Sequence, residues 1–405
     1  MASARRAQTA AERLRLLAGA LRAAIDAYSA GSHGVDALLA SLVAGAAWGA
    51  GFLAPALLVG LLPRAPLAAL LALRLVGDDP ERARAILREL LSDPRVVAAL
   101  RPAVDGTDDA LRGLLHIPSH LGPVLDDHGL GLLGREGSAL LLALGLGAAG
   151  VTTSGPATVR RVGGPAPVSP PRSLGELAAR VPETGGAAPQ IRVERYPGAE
   201  GPRYAVYIGG TAELRGADPW DLASDLAATA DVPADSVEAT AEAMRRAGIR
   251  PGEPVVLVGY SQGGLIATRL AESGDFAVTG IFALGSPAST PVVPVLGLEH
   301  TDDPVPALAG AAPPPPATVR VEREAIAGPP AAGSGGAVVP AHALDAYRET
   351  AALADRSGEE RLAAIRRALL AAFADGGAGE ATRWHAERAE LGQPVSGARP
   401  PAAGV

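Results

Sequence analysis

The sequence contains no cysteine, no lysine and no asparagine, and only 3% of its residues are aromatic. Without cysteine the chain can form neither disulfide bonds nor thiolate metal sites. Without lysine it cannot contain a P-loop for nucleotide phosphates, and without asparagine it has no acceptor for N-glycosylation. The codons of the missing lysine and asparagine are rich in A, whereas alanine, glycine, arginine and proline abound. We therefore expect a gene of high GC content, as in many actinobacteria.

The formal net charge is −7 at pH 7, and the sequence has neither a basic stripe nor a group of stacking aromatic residues. Such features are typical of nucleic-acid binding proteins, so we expect no nucleic-acid partner. The 405 residues are enough for two domains. The first thirty residues contain arginines but no long apolar core, so we expect no cleavable signal peptide. The chain is expected in the cytoplasm or at a membrane.

The first part of the chain, residues 1–150, is predicted to form an all-α domain rich in Ala, Gly and Leu. Two runs without a charged residue, 37–63 and 137–159, are long enough to cross a bilayer. The first is interrupted by Pro55 and is only partly made of strongly apolar residues, which is also typical of a buried helical hairpin in a bundle. Membrane association and a bundle both remain open.

Three histidines lie close together in this part of the chain, at His116, His120 and His128. Metal ligands on one helix need a common face, and Pro118 and Gly122 interrupt any helix that would provide it. We expect no metal site here and no cofactor elsewhere.

Residues 151–172 are rich in Pro and Gly and are predicted to be a linker. In the following segment, 173–375, short apolar strands alternate with helices, which is typical of an α/β fold with a doubly wound, mostly parallel sheet. The remaining residues, 376–405, are predicted to hold a short helix around Trp384 and a disordered tail. Strands are predicted at 191–196, 204–208, 255–258, 278–284, 293–298 and 318–322, and helices at 174–181, 235–247, 341–354, 358–374 and directly after Ser261.

The most informative motif is Gly259-Tyr260-Ser261-Gln262-Gly263, which lies between an apolar strand and a helix. G-x-S-x-G at such a junction is the nucleophile-elbow pattern, in which a serine occupies a sharp, strained turn and the flanking glycines allow the turn to close. The alternative is a serine with a purely structural role in a turn. Ser261 is the only serine of the chain with glycine at both −2 and +2.

In its second half the sequence resembles the lipase/esterase branch of the α/β-hydrolase superfamily. The run 259–263 is similar to the elbow of cutinase-like esterases. Asp303-Pro-Val-Pro306 resembles the acid turn of class 3 lipases, as does His342 followed five residues later by Tyr347. The resemblance covers residues 173–350 and does not extend to the first 150. Cutinases carry disulfides and this chain has none, so a cutin or polyester substrate does not follow.

The resemblance implies Ser261 as nucleophile, Asp303 as the acid of a triad and His342 as general base, which is the chain order of this superfamily. Asp302 competes with Asp303 for the role of acid. His300 is expected to be a structural histidine at a strand end, because it precedes the acid by only three residues.

The oxyanion hole needs two N–H donors, of which one should come from the residue after the nucleophile, Gln262. The other should come from the loop after an earlier strand, and the resemblance implies Gly210 or Thr211. A plain turn that ends the strand is the alternative for these two residues.

Two functions are compatible with the sequence. The first is a serine hydrolase that cleaves carboxylic esters, small or lipid, through an acyl-enzyme on Ser261. The second is a non-catalytic module with the same fold, anchored by its N-terminal helices.

Overall fold

The computed structural model describes residue 97 and residues 155–212, 217–229, 232–288, 290, 292–308, 315–326, 339–374 and 376–388. Apart from residue 97, the predicted helical domain 1–150 lies outside the described residues. So do the uncharged run 37–63, most of the run 137–159, and the three histidines considered as metal ligands.

Between residues 155 and 388 the described chain forms eight strands and seven helices. They are β1 (Ala157–Val168), α1 (Leu174–Ala179), β2 (Ile191–Tyr196), β3 (Arg203–Ile208), α2 (Leu222–Thr229), α3 (Asp235–Arg246), β4 (Pro254–Tyr260), α4 (Gln262–Glu272), β5 (Ala277–Leu284), β6 (Val295–His300), α5 (Pro304–Ala307), β7 (Thr318–Arg323), α6 (Leu344–Ala354), α7 (Glu360–Ala371) and β8 (Gly379–Arg388), with a 3-10 turn at Pro340–His342 before α6.

The strands form one mixed, mostly parallel sheet in the order β1-β8-β2-β3-β4-β5-β6-β7. The five strands from β3 to β7 are parallel, whereas β2 is antiparallel to β3 and to β8, and β1 is antiparallel to β8. The predicted α/β class with a mostly parallel sheet is therefore confirmed for the described residues. All six predicted strands are present, with boundaries within about two residues.

Hydrophobic clusters lie on both faces of the sheet. In β4, Val255 and Leu257 belong to one cluster and Val256 and Val258 to the other, because side chains alternate along a strand. Helices α3 and α4 pack on the first face, and α1, α6 and α7 cover the second. Burial on both sides explains why β4 is an unbroken apolar run.

The predicted linker 151–172 needs correction, because most of it forms the edge strand β1. Strand β1 pairs with β8, and its register shifts between Val162 and Ala166 around two glycines and a proline. An edge strand tolerates proline, since only one side of the strand has to donate hydrogen bonds. Composition alone therefore did not distinguish this strand from a linker.

The predicted short helix around Trp384 is wrong. This segment is β8, which lies between β1 and β2 and pairs with both. Trp384 and Ala386 pack into the core on one face of the sheet. The helix propensity of Ala, Glu and Arg in this segment is outweighed by hydrogen bonds to two neighbouring strands. The short helix α2 was also not predicted.

Candidate active site

Ser261 lies between the last residue of β4 and the first residue of α4, in an unusual backbone conformation. Its φ is 53° and its ψ is −123°. Among the described residues it is the only one other than glycine with a positive φ. Such a conformation costs on the order of 1–3 kcal/mol and persists only where the surrounding structure enforces it. The turn is thus a strained strand-to-helix junction of the kind the motif predicts.

The two flanking glycines allow the backbone segments of this turn to touch. A Cβ added to Gly259 would lie 2.2 Å from the carbonyl carbon of Gly263. A Cβ added to Gly263 would lie 2.3 Å from the carbonyl oxygen of Ile208. Both contacts involve backbone atoms, which cannot move aside. The spacing of the motif is therefore explained by the close approach of the ends of β3 and β4 to the start of α4.

The structure brings Ser261, His342 and Asp303 together. Nε2 of His342 lies 2.9 Å from Oγ of Ser261, and Nδ1 lies 2.7 Å from Oδ2 of Asp303. Asp303 is the N-cap of α5, and His342 ends the 3-10 turn before α6. A carboxylate oxygen accepts hydrogen bonds, so Nδ1 donates to Asp303 and Nε2 is left to accept from the serine hydroxyl. This is the arrangement in which a histidine can remove a proton from serine.

Asp303 is fully buried and has three hydrogen-bond donors around it. Besides His342, the hydroxyl of Tyr347 donates to Oδ2 at 2.7 Å, and the backbone N–H of Val305 donates to Oδ1 at 2.9 Å. A buried carboxylate is stabilised only by such donors. They also fix its orientation toward His342.

The adjacent Asp302 faces a different segment. Its two carboxylate oxygens accept the backbone N–H groups of Ala325 and Ile326, both at 2.9 Å. It anchors the chain after β7, and its carboxylate hydrogen bonds go to that segment and not to His342. Of the two candidates for the acid, only Asp303 is in place to act on the imidazole.

His300 is buried and lies away from the nucleophile. Its Nδ1 is 2.6 Å from the carbonyl oxygen of Ala341 and its Nε2 is 2.7 Å from Oγ1 of Thr350. Burial lowers the pKa of His300 below the ordinary imidazole value, so the ring is neutral at neutral pH. Both ring nitrogens are engaged by groups other than Ser261.

Two tyrosines complete the surroundings of His342. The Tyr260 ring stacks on its imidazole at 5.2 Å between centroids, and the Tyr260 hydroxyl donates to the carbonyl oxygen of His342. Tyr347 donates to Asp303. Burial raises the pKa of both phenols above the ordinary value, and the nearby Asp303 carboxylate raises it further, so both remain neutral donors. No role was predicted for Tyr260, although its place beside the nucleophile was a usable signal.

The residues predicted to donate backbone N–H groups to an oxyanion lie on two sides of Ser261. Gln262 is the first residue of α4, and an α-helix leaves the N–H groups of its first turn without an internal acceptor. Gly210 lies directly against the elbow, since a Cβ added to it would be 3.1 Å from Cβ of Ser261. The predicted oxyanion residues Gln262 and Gly210 are thus adjacent to the serine.

Thr211 follows Gly210 and is tied to α2. Its hydroxyl donates to Oδ2 of Asp225 at 3.0 Å. Desolvation by burial raises the pKa of Asp225 to about 7, and this effect exceeds the opposing hydrogen bond from Thr211. The side chain of Gln262 is held in a similar way, because its Nε2 donates to the carbonyl oxygen of Asp221 at 3.3 Å. Both candidate donors therefore belong to segments anchored on α2 or the residues before it.

Comparisons with models of protein families, with curated proteins and with solved structures find no match to this chain. The chemistry of the site is therefore inferred from its own geometry. In the part of the chain that the structure describes, no group of three or more His, Asp or Glu side chains is arranged to hold a metal ion. The helices between residues 155 and 388 are all too short or too polar to cross a membrane.

Proposed function

We propose that the protein is a serine hydrolase of the α/β-hydrolase superfamily, related to its lipase/esterase branch, and that it cleaves carboxylic esters through an acyl-enzyme on Ser261. The observation that carries the proposal is the continuous hydrogen-bonded chain from the Ser261 hydroxyl through His342 to Asp303. The strained conformation of Ser261 supports it, because a purely structural turn gains nothing from that cost.

In the proposed reaction, Oγ of Ser261 attacks the ester carbonyl carbon while Nε2 of His342 takes the hydroxyl proton. The carbonyl oxygen becomes an oxyanion, and the N–H groups of Gln262 and of Gly210 or Thr211 stabilise it. Each such donor contributes on the order of 100- to 1,000-fold in rate. The C–O bond to the alcohol then breaks, and His342 returns its proton to the departing oxygen.

The second half of the reaction repeats these steps with water. His342 takes a proton from a water molecule whose oxygen attacks the acyl-enzyme carbonyl, and it then returns the proton to Oγ of Ser261 as the carboxylic acid leaves. Asp303 holds the imidazole in the Nδ1–H tautomer and stabilises the imidazolium formed in each half. No metal ion takes part in this scheme.

The test is covalent labelling of the full chain with a fluorophosphonate probe, together with hydrolysis of p-nitrophenyl esters of increasing acyl length. We expect the wild type to take one label at Ser261 and to hydrolyse at least the short esters in the presence of EDTA. Ser261→Ala should take no label, and His342→Ala should lose both labelling and turnover, while both variants unfold cooperatively as the wild type does.

A wild-type protein that folds cooperatively yet takes no label would overturn the proposal and favour the non-catalytic binding module. Activity that is lost on chelation and restored by a divalent ion would contradict the mechanism. The acyl-length series also separates a small ester substrate from a lipid ester.

A further inference from the structure

The candidate base lies on a very short element. His342 is the last residue of the three-residue 3-10 turn Pro340–His342, and its side chain is 19% exposed. A single turn has few hydrogen bonds of its own. The position of the imidazole therefore depends on what the neighbouring residues of the turn contact.

His300 contacts the turn one residue before the base. Its Nδ1 lies 2.6 Å from the carbonyl oxygen of Ala341, a residue with no exposed surface. A carbonyl only accepts, so Nδ1 carries the hydrogen and donates it. His300 ends β6, whose whole length is buried in the sheet, and so the turn is tied to a rigid strand.

The same imidazole also contacts the side chain that supports the acid. The rings of His300 and Tyr347 stack with 3.8 Å between centroids and 10° between planes. Tyr347 receives the backbone N–H of His300 at 3.2 Å and donates its own hydroxyl to Asp303. His300 thus contacts the segment of the base directly and is linked to the acid through Tyr347.

We propose that His300 is a positioning residue for the Ser261–His342–Asp303 chain, and that it acts through donation from its Nδ1 to the carbonyl oxygen of Ala341. This inference rests on the function proposed above. Reactions of this kind lose about 100-fold for a misplacement of roughly 1 Å, so a side chain that never touches substrate can affect turnover strongly.

Two amide substitutions separate this role from a general contribution to packing. In His300→Asn the amide nitrogen can occupy the position of Nδ1 and donate to Ala341. In His300→Gln the amide nitrogen reaches instead toward the position of Nε2, whose partner is Thr350. Both variants remove the stacked ring, so that loss is matched between them.

We expect His300→Asn to keep kcat within about threefold of the wild type, and His300→Gln to lose about 10- to 100-fold in kcat with little change in KM. Melting temperatures are measured for both. A purely structural role would lower the two melting temperatures and leave the two values of kcat alike, and this result would overturn the proposal.

A second measurement uses the wild type and does not depend on turnover. NMR of the full chain labelled with ¹⁵N-histidine should show His300 as the neutral Nδ1–H tautomer, with an N–H that exchanges slowly with solvent. The signal is assigned by its loss in His300→Asn. An Nε2–H tautomer would rule out donation to Ala341 and overturn the proposal, even if His300→Gln fails to fold.

The two proposals fail in different ways. A folded wild type without labelling or turnover overturns the hydrolase function. In that case the tautomer of His300 still shows whether its Nδ1 donates to Ala341 and so holds the turn. A labelled, active wild type whose His300→Asn variant loses as much kcat as His300→Gln overturns the positioning role alone.

Discussion

Asp302 and Asp303 are neighbours in the chain, but Asp303 accepts a hydrogen bond from His342 at 2.7 Å while Asp302 accepts two backbone N–H groups from the segment after β7. One carboxylate thus faces the candidate site, and the other faces away from it. The roles of the two residues can therefore be distinguished by making the same conservative substitution at each position.

Asp303→Asn should lower kcat by on the order of 10⁴-fold, because an amide no longer enforces the Nδ1–H tautomer of His342. Asp302→Asn is the matched control. It leaves one backbone N–H without an acceptor and should cost about 1–3 kcal/mol in the free energy of unfolding, with less than about a tenfold change in kcat. Ester hydrolysis and chemical denaturation of both variants check this, and equal kinetic losses would contradict the assignment of the acid.

Gly263→Ala should disrupt the elbow. The added methyl group would lie 2.3 Å from the carbonyl oxygen of Ile208 and 2.7 Å from that of Gly209. We expect a loss of about 1–3 kcal/mol in stability, as for other overpacked sites, together with reduced labelling of Ser261. Gly297→Ala is the control, since a Cβ there meets no atom within 4 Å. Thermal unfolding and the labelling rate are compared, and a Gly263→Ala variant as stable and reactive as the control would be inconsistent with this geometry.

Asp225 should make a pH-dependent contribution to stability. Burial raises its pKa to about 7 from 3.8, so between these values the folded state binds the proton that the unfolded state has released. Its contribution is fully present below pH 3.8 and is lost as the pH rises through about 7. The free energy of unfolding of the wild type minus that of Asp225→Asn should therefore fall over this interval and level off above it.

Urea denaturation at a series of pH values measures this difference. Asp275→Asn serves as the control for removal of one negative charge, because the Asp275 side chain is 57% exposed. A difference between wild type and Asp225→Asn that is flat from about pH 4 to 8, or that follows the Asp275 control, would show that burial does not perturb this carboxyl.

Much of the parallel part of the sheet could be predicted, since its signals are local. Strand β4 is apolar because both faces of the sheet are covered, and the turn at Ser261 needs glycines at fixed positions on either side. These features are encoded within a few residues of where they occur. The role of His342, in contrast, was expected from the chain order of the family that the sequence resembles.

The edge of the sheet could not be predicted in this way. Strand β8 pairs with β1, in which Ala157 is opposite Arg388. Nothing near Trp384 indicates that such a partner exists, and the local composition of β8 is compatible with a helix. Proline and glycine in β1 are equally typical of a linker and of an edge strand with a bulge.

The sequence by itself determined the α/β alternation of the second half and the strained turn at Ser261, because periodicity and turn chemistry depend on adjacent residues, and its resemblance to a known family supplied the candidates for acid and base. Only the tertiary structure decided that Asp303 rather than Asp302 faces His342, and that His300 contacts the turn of the base. These contacts join residues about 40 positions apart in the chain. They form only when the carboxyl ends of the parallel strands meet at one edge of the sheet.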